Sequence, residues 1–258
     1  MKRAATSVCL SLLLVFSALP AGAHFQMILP DKPLVLQGGS NEVSVLLKFT
    51  HPFEMQNMNM EKPAIFGVMS GGETEDLLGT LKQVDIGGDL MGWKTTYKAK
   101  RPGDLVFFVE PQPYWEPAEG CFIVHDTKVV VNAFGLEVGW DEPTGLRAEI
   151  IPLVRPYGLW AGNVFTGKVI VKGKPVADAE IEVEYYNSDR KVKAPADPFI
   201  TQIVKADDNG IFTYAAPFAG WWGFAALTEA PEKMKSPEGE KAPVELGAVM
   251  WVYFNSAK

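Results

Sequence analysis

Residues 42–51 read Glu-Val-Ser-Val-Leu-Leu-Lys-Phe-Thr-His, and this stretch decides the fold class. Val43, Val45, Leu47 and Phe49 alternate with more polar neighbours, which is the pattern of a strand with one buried face. Similar β-rich runs follow at residues 105–110, 122–131, 181–185, 221–228 and 245–254. No amphipathic helical pattern longer than two turns is found, so the chain is predicted to be all-β.

Two prolines and a glycine interrupt the pattern within residues 151–158, and new strand-like runs begin near Asn163. We therefore predict two immunoglobulin-like β-sandwich domains, an N-terminal one over residues 24–157 and a smaller C-terminal one over residues 158–258. The proline-rich residues 111–117 are predicted to be a loop. The sequence Asp-Asp-Asn-Gly at 207–210 predicts a hairpin turn.

The first 23 residues have the features of an export signal. Lys2 and Arg3 precede an apolar run at residues 8–19, which is too short to span a bilayer, and a small-residue cleavage pattern ends at Ala23. We predict a signal peptide over residues 1–23, cleavage before His24 and a periplasmic location. No later stretch is apolar enough to cross a membrane, so direct membrane insertion is not expected.

Composition excludes several classes of function. The chain of 258 residues has a formal net charge of −7 and no basic patch, which argues against binding to nucleic acid or anionic lipid. With 2 cysteines, of which only Cys121 follows the predicted signal peptide, it is neither a cysteine-rich zinc domain nor a disulfide scaffold. No catalytic triad, paired-carboxylate signal or phosphate loop is found, so the chain is not predicted to be an enzyme.

The chain has 3 histidines, and all of them fall in its first half. His24 would become the mature N-terminus, where the α-amine and the ring Nδ1 together can chelate Ni(II) or Cu(II). His51 follows the strand at 43–49, and His125 shares a strand face with Cys121. Either of these two could be a buried core histidine when considered alone. Because the second half has none, we predict that the three form one metal site.

Further residues could add ligands or wall the site, namely Glu54, Glu110, Tyr114, Cys121, Met55, Met58 and Met60. Glu110 is expected roughly 13 Å from His125 along the sheet if it pairs near residue 121, which makes joint coordination doubtful. A lone buried thiol at Cys121 is commoner than a ligand. The three methionines could hold Cu(I), although methionines more often fill gaps against a core.

Longer runs of the chain resemble a known family. These runs are residues 23–30 (AHFQMILP), 51–54 (HPFE) with 60–63 (MEKP), 109–117 (VEPQPYWEP), 123–125 (IVH) with 127–128 (TK), 155–163 (RPYGLWAGN), 193–198 (KAPADP) and 219–224 (AGWWGF). Together they resemble the periplasmic nickel- or cobalt-binding component of energy-coupling-factor-type nickel uptake transporters. The resemblance covers essentially the whole mature chain.

The resemblance implies a two-domain β protein that binds Ni(II), with Co(II) or Cu as alternatives, and serves a membrane metal-uptake permease. The positions that carry over are His24, His51 and His125. Residues 55–58 read Met-Gln-Asn-Met where the family often holds another histidine. The second half, through residues 173–179, also resembles the small transthyretin-like sandwich.

Three alternatives stay open from the sequence. The first is a periplasmic copper-binding or chaperone protein with an N-terminal histidine site, and the second is an oxidative copper enzyme, which would need a site open to substrate. The third is a metal-free adhesion or scaffold module, which would leave the three histidines apart. Wide separation of His51 from His125 would contradict every metal hypothesis.

Overall fold

The computed structural model describes residues 23–257, so nearly all of the predicted signal peptide, residues 1–23, lies outside the described residues. Two short 3₁₀ helices, Leu78–Thr80 and Asp197–Phe199, are the only helices in this range, and neither is long and apolar enough to cross a membrane. Everything else regular is β-structure. The predicted all-β fold class is confirmed.

The strands are β1 (Phe25–Pro30), β2 (Leu34–Val35), β3 (Glu42–His51), β4 (Gln56–Met58), β5 (Ile65–Ser70), β6 (Glu73–Asp76), β7 (Lys82–Asp85), β8 (Met91–Lys98), β9 (Gly103–Glu110), β10 (Tyr114–Glu116), β11 (Cys121–Ala133), β12 (Ala148–Pro152), β13 (Leu159–Trp160), β14 (Val164–Val171), β15 (Lys174–Pro175), β16 (Glu180–Tyr185), β17 (Gln202–Lys205), β18 (Ile211–Ala215), β19 (Gly220–Glu229), β20 (Met234–Lys235), β21 (Lys241–Ala242) and β22 (Val244–Asn255). The largest sheet has the order β17-β16-β19-β22-β11-β9-β5-β6, with β2, β10 and β13 at its margins. A second sheet has the order β1-β3-β8-β7 with β4 beside β3, and a third has the order β12-β14-β15 with β18 beside β14. Strands β20 and β21 form a separate hairpin.

The largest sheet is the middle layer of the molecule. On β11, the odd-numbered Ile123 and Val131 pack with the core residues of β1, β3 and β8, whereas the even-numbered Phe122 and Val124 pack with those of β12, β14 and β18. Successive side chains of a strand point to opposite faces, so each smaller sheet covers one face of the large one. The predicted β-sandwich architecture is confirmed.

One strand links the two halves of the sequence. β22 pairs in parallel with β11, from Phe122 opposite Val244 to Val129 opposite Trp251. The large sheet therefore contains strands from both sides of residues 157 and 158. The division into domains at 24–157 and 158–258 stays a prediction.

Two local predictions are wrong. The turn at 207–210 forms, with the Gly210 amide donating to the Asp207 carbonyl at 2.9 Å, but its flanking strands do not pair as a hairpin. β17 pairs with β16 in the large sheet and β18 pairs with β14 in the third sheet, so the turn carries the chain from one layer to the other. The predicted loop at 111–117 contains β10, which lies between its prolines and pairs with β11.

Candidate metal centre

His24 and His51 meet because of the register between β1 and β3. These strands are antiparallel and pair Phe25 with Thr50, so one further step places His24 opposite His51 at the end of the pair. Their ring centroids are 4.5 Å apart and the ring planes are nearly perpendicular, at 89°. Two histidines that are distant in sequence are thus cross-strand neighbours.

His125 lies on the facing sheet and is 1% exposed. Its ring centroid is 6.3 Å from that of Phe49, and the Phe49 ring also stacks on His24 at 5.6 Å. The three predicted histidines therefore belong to one aromatic cluster in the gap between the large sheet and the β1–β3 pair. The cluster brings the three rings into one region of the molecule, with Phe49 between His24 and His125.

Each of the three imidazoles faces a carboxylate. The pairs are His24 Nε2 with Glu116 Oε2 at 3.1 Å, His51 Nδ1 with Glu54 Oε2 at 3.5 Å, and His125 Nε2 with Glu245 Oε1 at 3.0 Å. An ionised carboxylate can only accept, so in a neutral imidazole the nitrogen that faces it carries the hydrogen. The other ring nitrogen then has a free lone pair.

Two of these other nitrogens are buried without any hydrogen-bond partner, namely Nε2 of His51 and Nδ1 of His125. A buried polar atom without a partner costs free energy, so such atoms call for an explanation. In His24 the contact with Glu116 leaves Nδ1, which is the nitrogen that can chelate together with the α-amine. Histidines that bind metals typically donate from one nitrogen to a carboxylate and coordinate with the other.

The electrostatics keep His24 neutral. Burial, followed by the neighbouring His51, lowers the pKa of His24 from 6.5 to about 4, against the opposing effect of Glu116. A neutral imidazole is the form that binds metal. For Glu245, burial alone would raise the pKa, but the hydrogen bond and charge of His125 outweigh it and the net pKa is lowered.

Glu110 does not join the histidines. Its neighbour Val109 packs into the core that faces β1 and β3, so Glu110 itself points to the opposite face of the large sheet. There it lies near Asp126, whose pKa is raised mainly by burial and further by the charge of Glu110, and it lines a cavity of about 140 Å³ with Arg147. The β9–β11 register, with Val106 opposite Val130, places residue 110 near residue 126 rather than near 121.

Tyr114 lies against the histidine cluster. Its ring centroid is 5.0 Å from Phe49 and 6.3 Å from His24. Together with His125 and Met60 it lines a cavity of about 240 Å³ beside the histidine cluster.

The sulfur-containing candidates differ in their environment. Burial raises the pKa of Cys121 to about 12, which keeps it a thiol and makes it a poor ligand. Met60 is buried and its Sδ accepts a hydrogen bond of 3.5 Å from Gln26 Nε2. Met55 occupies a turn with φ of 57°, and Met58 lies in β4.

The site is not arranged for a metal as the side chains stand. Among residues 23–257, no group of three or more His, Cys, Asp or Glu side chains is placed to hold an ion. The rings of His24 and His51 are in contact, whereas the ring of His125 is linked to that of His24 through Phe49. Coordination of one ion by all three imidazoles therefore requires side-chain rotation.

The model of the family described as "Domain of unknown function (DUF4198)" matches residues 21–230. The chain belongs to this family. Glu245, which contacts His125, lies beyond the residues that the DUF4198 model matches. No curated protein matches the chain.

Solved structures resemble this DUF4198 chain only distantly. The D0-D1 domain of intimin is 14% identical, with a TM-score of 0.25 and coverage of 88% of this chain and 99% of that one. The adhesin InvE of Yersinia pseudotuberculosis is 13% identical, with a TM-score of 0.25 and coverage of 89% of this chain and 58% of that one. Likenesses at this level carry no argument about function.

Two members of the cluster escaped the sequence analysis. Glu116 lies in the segment that the prolines predict to be a loop, yet β10 pairs it with Cys121 and brings its carboxylate to His24. Glu245 gave no signal of its own, because its role depends on the parallel pairing of β22 with β11. In both cases the pairing of strands, rather than the residue type, places the carboxylate at its histidine.

Proposed function

We propose that the chain binds Ni(II) as cargo in the periplasm and delivers it to a membrane uptake permease. One observation carries the proposal: three imidazoles share one cluster, and each has one nitrogen facing a carboxylate. Two of the remaining nitrogens, in His51 and His125, are buried without a partner. The resemblance to nickel-uptake components points in the same direction.

The chemistry of these donors suits the ion. Neutral imidazole nitrogens and an α-amine favour late first-row metals such as Ni(II) and Cu(II), with Co(II) as a weaker competitor. The carboxylates at Glu116, Glu54 and Glu245 would orient the rings and increase their basicity. Three or four protein nitrogens leave open positions, through which a permease ligand could take over the ion.

The test is isothermal titration of the signal-cleaved protein with Ni(II), Co(II), Cu(II) and Zn(II). We expect one Ni(II) per chain, bound more tightly than Co(II), with proton release on binding. Failure of all four ions to bind would contradict the proposal, and a clear preference for Zn(II) would contradict the choice of metal.

A copper-binding protein is the second candidate, because one methionine lies in the same cavity. Met60 and His125 both line the 240 Å³ space, and a thioether with an imidazole is a donor set for Cu(I). Replacing Met55, Met58 and Met60 with Leu should leave Ni(II) affinity nearly unchanged, since a thioether is a poor ligand for Ni(II). A selective loss of Cu(I) binding in this variant would favour the copper function, and a large loss of Ni(II) binding would count against our choice of ligands.

A further inference from the structure

We infer that Glu245 and Gly247, two residues of β22, hold the His125 ring in one orientation with its hydrogen on Nε2, so that Nδ1 is the nitrogen left to bind a metal. The inference rests on the proposed function and names positioning residues for it. Neither residue would contact the ion. We call Glu245 and Gly247 together the His125 seat.

Gly247 provides the space for the ring. β11 and β22 are in register so that His125 lies directly beside Gly247. A Cβ built at position 247 would overlap Cδ2 of His125 and lie 2.8 Å from its Cγ and 2.9 Å from its Nε2. The three nearest atoms all belong to the imidazole, so the ring lies against the bare backbone of Gly247.

Space is the reason for glycine here, because Gly247 is not among the glycines with positive φ. An alanine would suit the backbone but not the ring, since contacts below 3 Å to a rigid imidazole force it to move. His125 is 1% exposed, and its surroundings leave little room for a second orientation.

Glu245 fixes the hydrogen on the ring. It lies two residues before Gly247 on the same strand, so both positions share the face that carries His125. Its Oε1 is 3.0 Å from Nε2, and a carboxylate accepts the hydrogen that Nε2 donates. Nδ1 is then the bare nitrogen, and it is buried without a partner. One residue of the seat thus sets the ring plane and the other sets the tautomer.

The first test is Ni(II) titration of Gly247→Ala and Glu245→Ala. Each should lower affinity by about 10- to 100-fold, as loss of a residue that orients a metal ligand does. The control for Gly247 is Gly167→Ala, whose methyl group would meet Ile150 and Phe212 at 2.7 and 2.8 Å in the other sandwich. The control for Glu245 is Glu229→Ala, its cross-strand neighbour on β19. Both controls should bind Ni(II) as the native protein does, even where they lower thermal stability.

The second test needs no metal. Nitrogen-15 NMR of the metal-free protein at pH 8 should show His125 with hydrogen on Nε2, and Glu245→Ala should shift this signal towards a mixture of tautomers. Hydrogen on Nδ1 in the native protein would overturn the inference even if Ni(II) binds.

In the titrations, Ni(II) affinity equal to that of the native protein in a folded Gly247→Ala variant would also overturn the inference. If that variant does not fold, native Ni(II) affinity in Glu245→Ala has the same meaning. Absence of Ni(II) binding by the native protein would instead contradict the proposed function, while the tautomer still tests the seat.

Discussion

At the scale of single residues, His51 offers the cleanest test of the site. Its Nε2 is buried without a partner, and removal of the ring takes away a proposed ligand without breaking a hydrogen bond from that nitrogen. We expect His51→Ala to weaken Ni(II) binding by about a hundredfold or more, since losing a ligand should cost at least as much as losing the group that orients one. Titration calorimetry measures this directly.

The matched control for His51 is Gln56→Ala. Gln56 is exposed and pairs with His51 across the β3–β4 hairpin, so it tests whether disturbing the hairpin alone affects metal binding. It should leave affinity unchanged. If His51→Ala lowers the melting temperature but leaves Ni(II) affinity unchanged, His51 is a structural histidine of the core.

At the scale of elements, a buried carboxyl ties β16 to the turn after His51. Glu184 is 1% exposed; its carboxyl accepts from the Phe53 amide at 3.2 Å and from the Thr201 hydroxyl. Asn187 Nδ2 also donates to the Phe53 carbonyl at 3.2 Å. These contacts link the second half of the chain to the segment that carries a predicted ligand.

Burial raises the pKa of Glu184 from 4.5 to about 8, which makes stability depend on pH. Between these values the folded state holds a proton that the unfolded state has released, so stability falls as pH rises from about 4.5 to 8. Glu184→Gln keeps an acceptor for Phe53 and carries no charge. Denaturant unfolding should show equal stability near pH 5 and a gain of roughly 1–3 kcal/mol for the variant at pH 8.

The control for this prediction is Glu180→Gln on the same strand, where the side chain is 58% exposed and pairs with Lys205. It should leave the pH profile of stability unchanged. A Glu184→Gln profile parallel to that of the native protein would mean that the carboxyl is ionised in the fold at neutral pH.

The elements also show how far sequence reasoning reaches. Alternation located most strands, because a half-buried strand must repeat every two residues. The sequence pattern did not predict which strands pair when the partners are distant in the chain. For example, β17 and β18 flank a good turn yet join different sheets. The same limit applies to the site. The three histidines stood out by type and rarity, whereas Glu245 and Gly247 matter only because β22 runs beside β11.

At the scale of the whole molecule, the shared sheet has a thermodynamic consequence. β22 contacts β19 on one side and β11 on the other, so neither half of the sequence completes its sheet alone. We expect the metal-free protein to unfold in a single cooperative transition, with equal calorimetric and van't Hoff enthalpies. Two resolved transitions in scanning calorimetry would show that residues 24–157 and 158–258 are independent folding units.

At the same scale, the proposed metal site depends on export, because cleavage of the predicted signal peptide would create one of its proposed ligands, the α-amine of His24. Cleavage before His24 would convert a peptide amide, which is not a comparable donor at neutral pH, into a free α-amine beside Nδ1. A protein with one extra glycine before His24 should therefore bind Ni(II) more weakly because it lacks one donor, and we expect a loss of about tenfold or more, which corresponds to about 1.4 kcal/mol or more. Its melting temperature without metal should equal that of the native mature protein, because the added residue lies outside the paired β1. A third protein, the mature chain with His24→Ala and a free N-terminal amine, measures the contribution of the α-amine to Ni(II) binding without that of the His24 ring. Equal Ni(II) affinity of the extended and native proteins would show that the α-amine is not a ligand and would leave only the imidazoles of His24, His51 and His125.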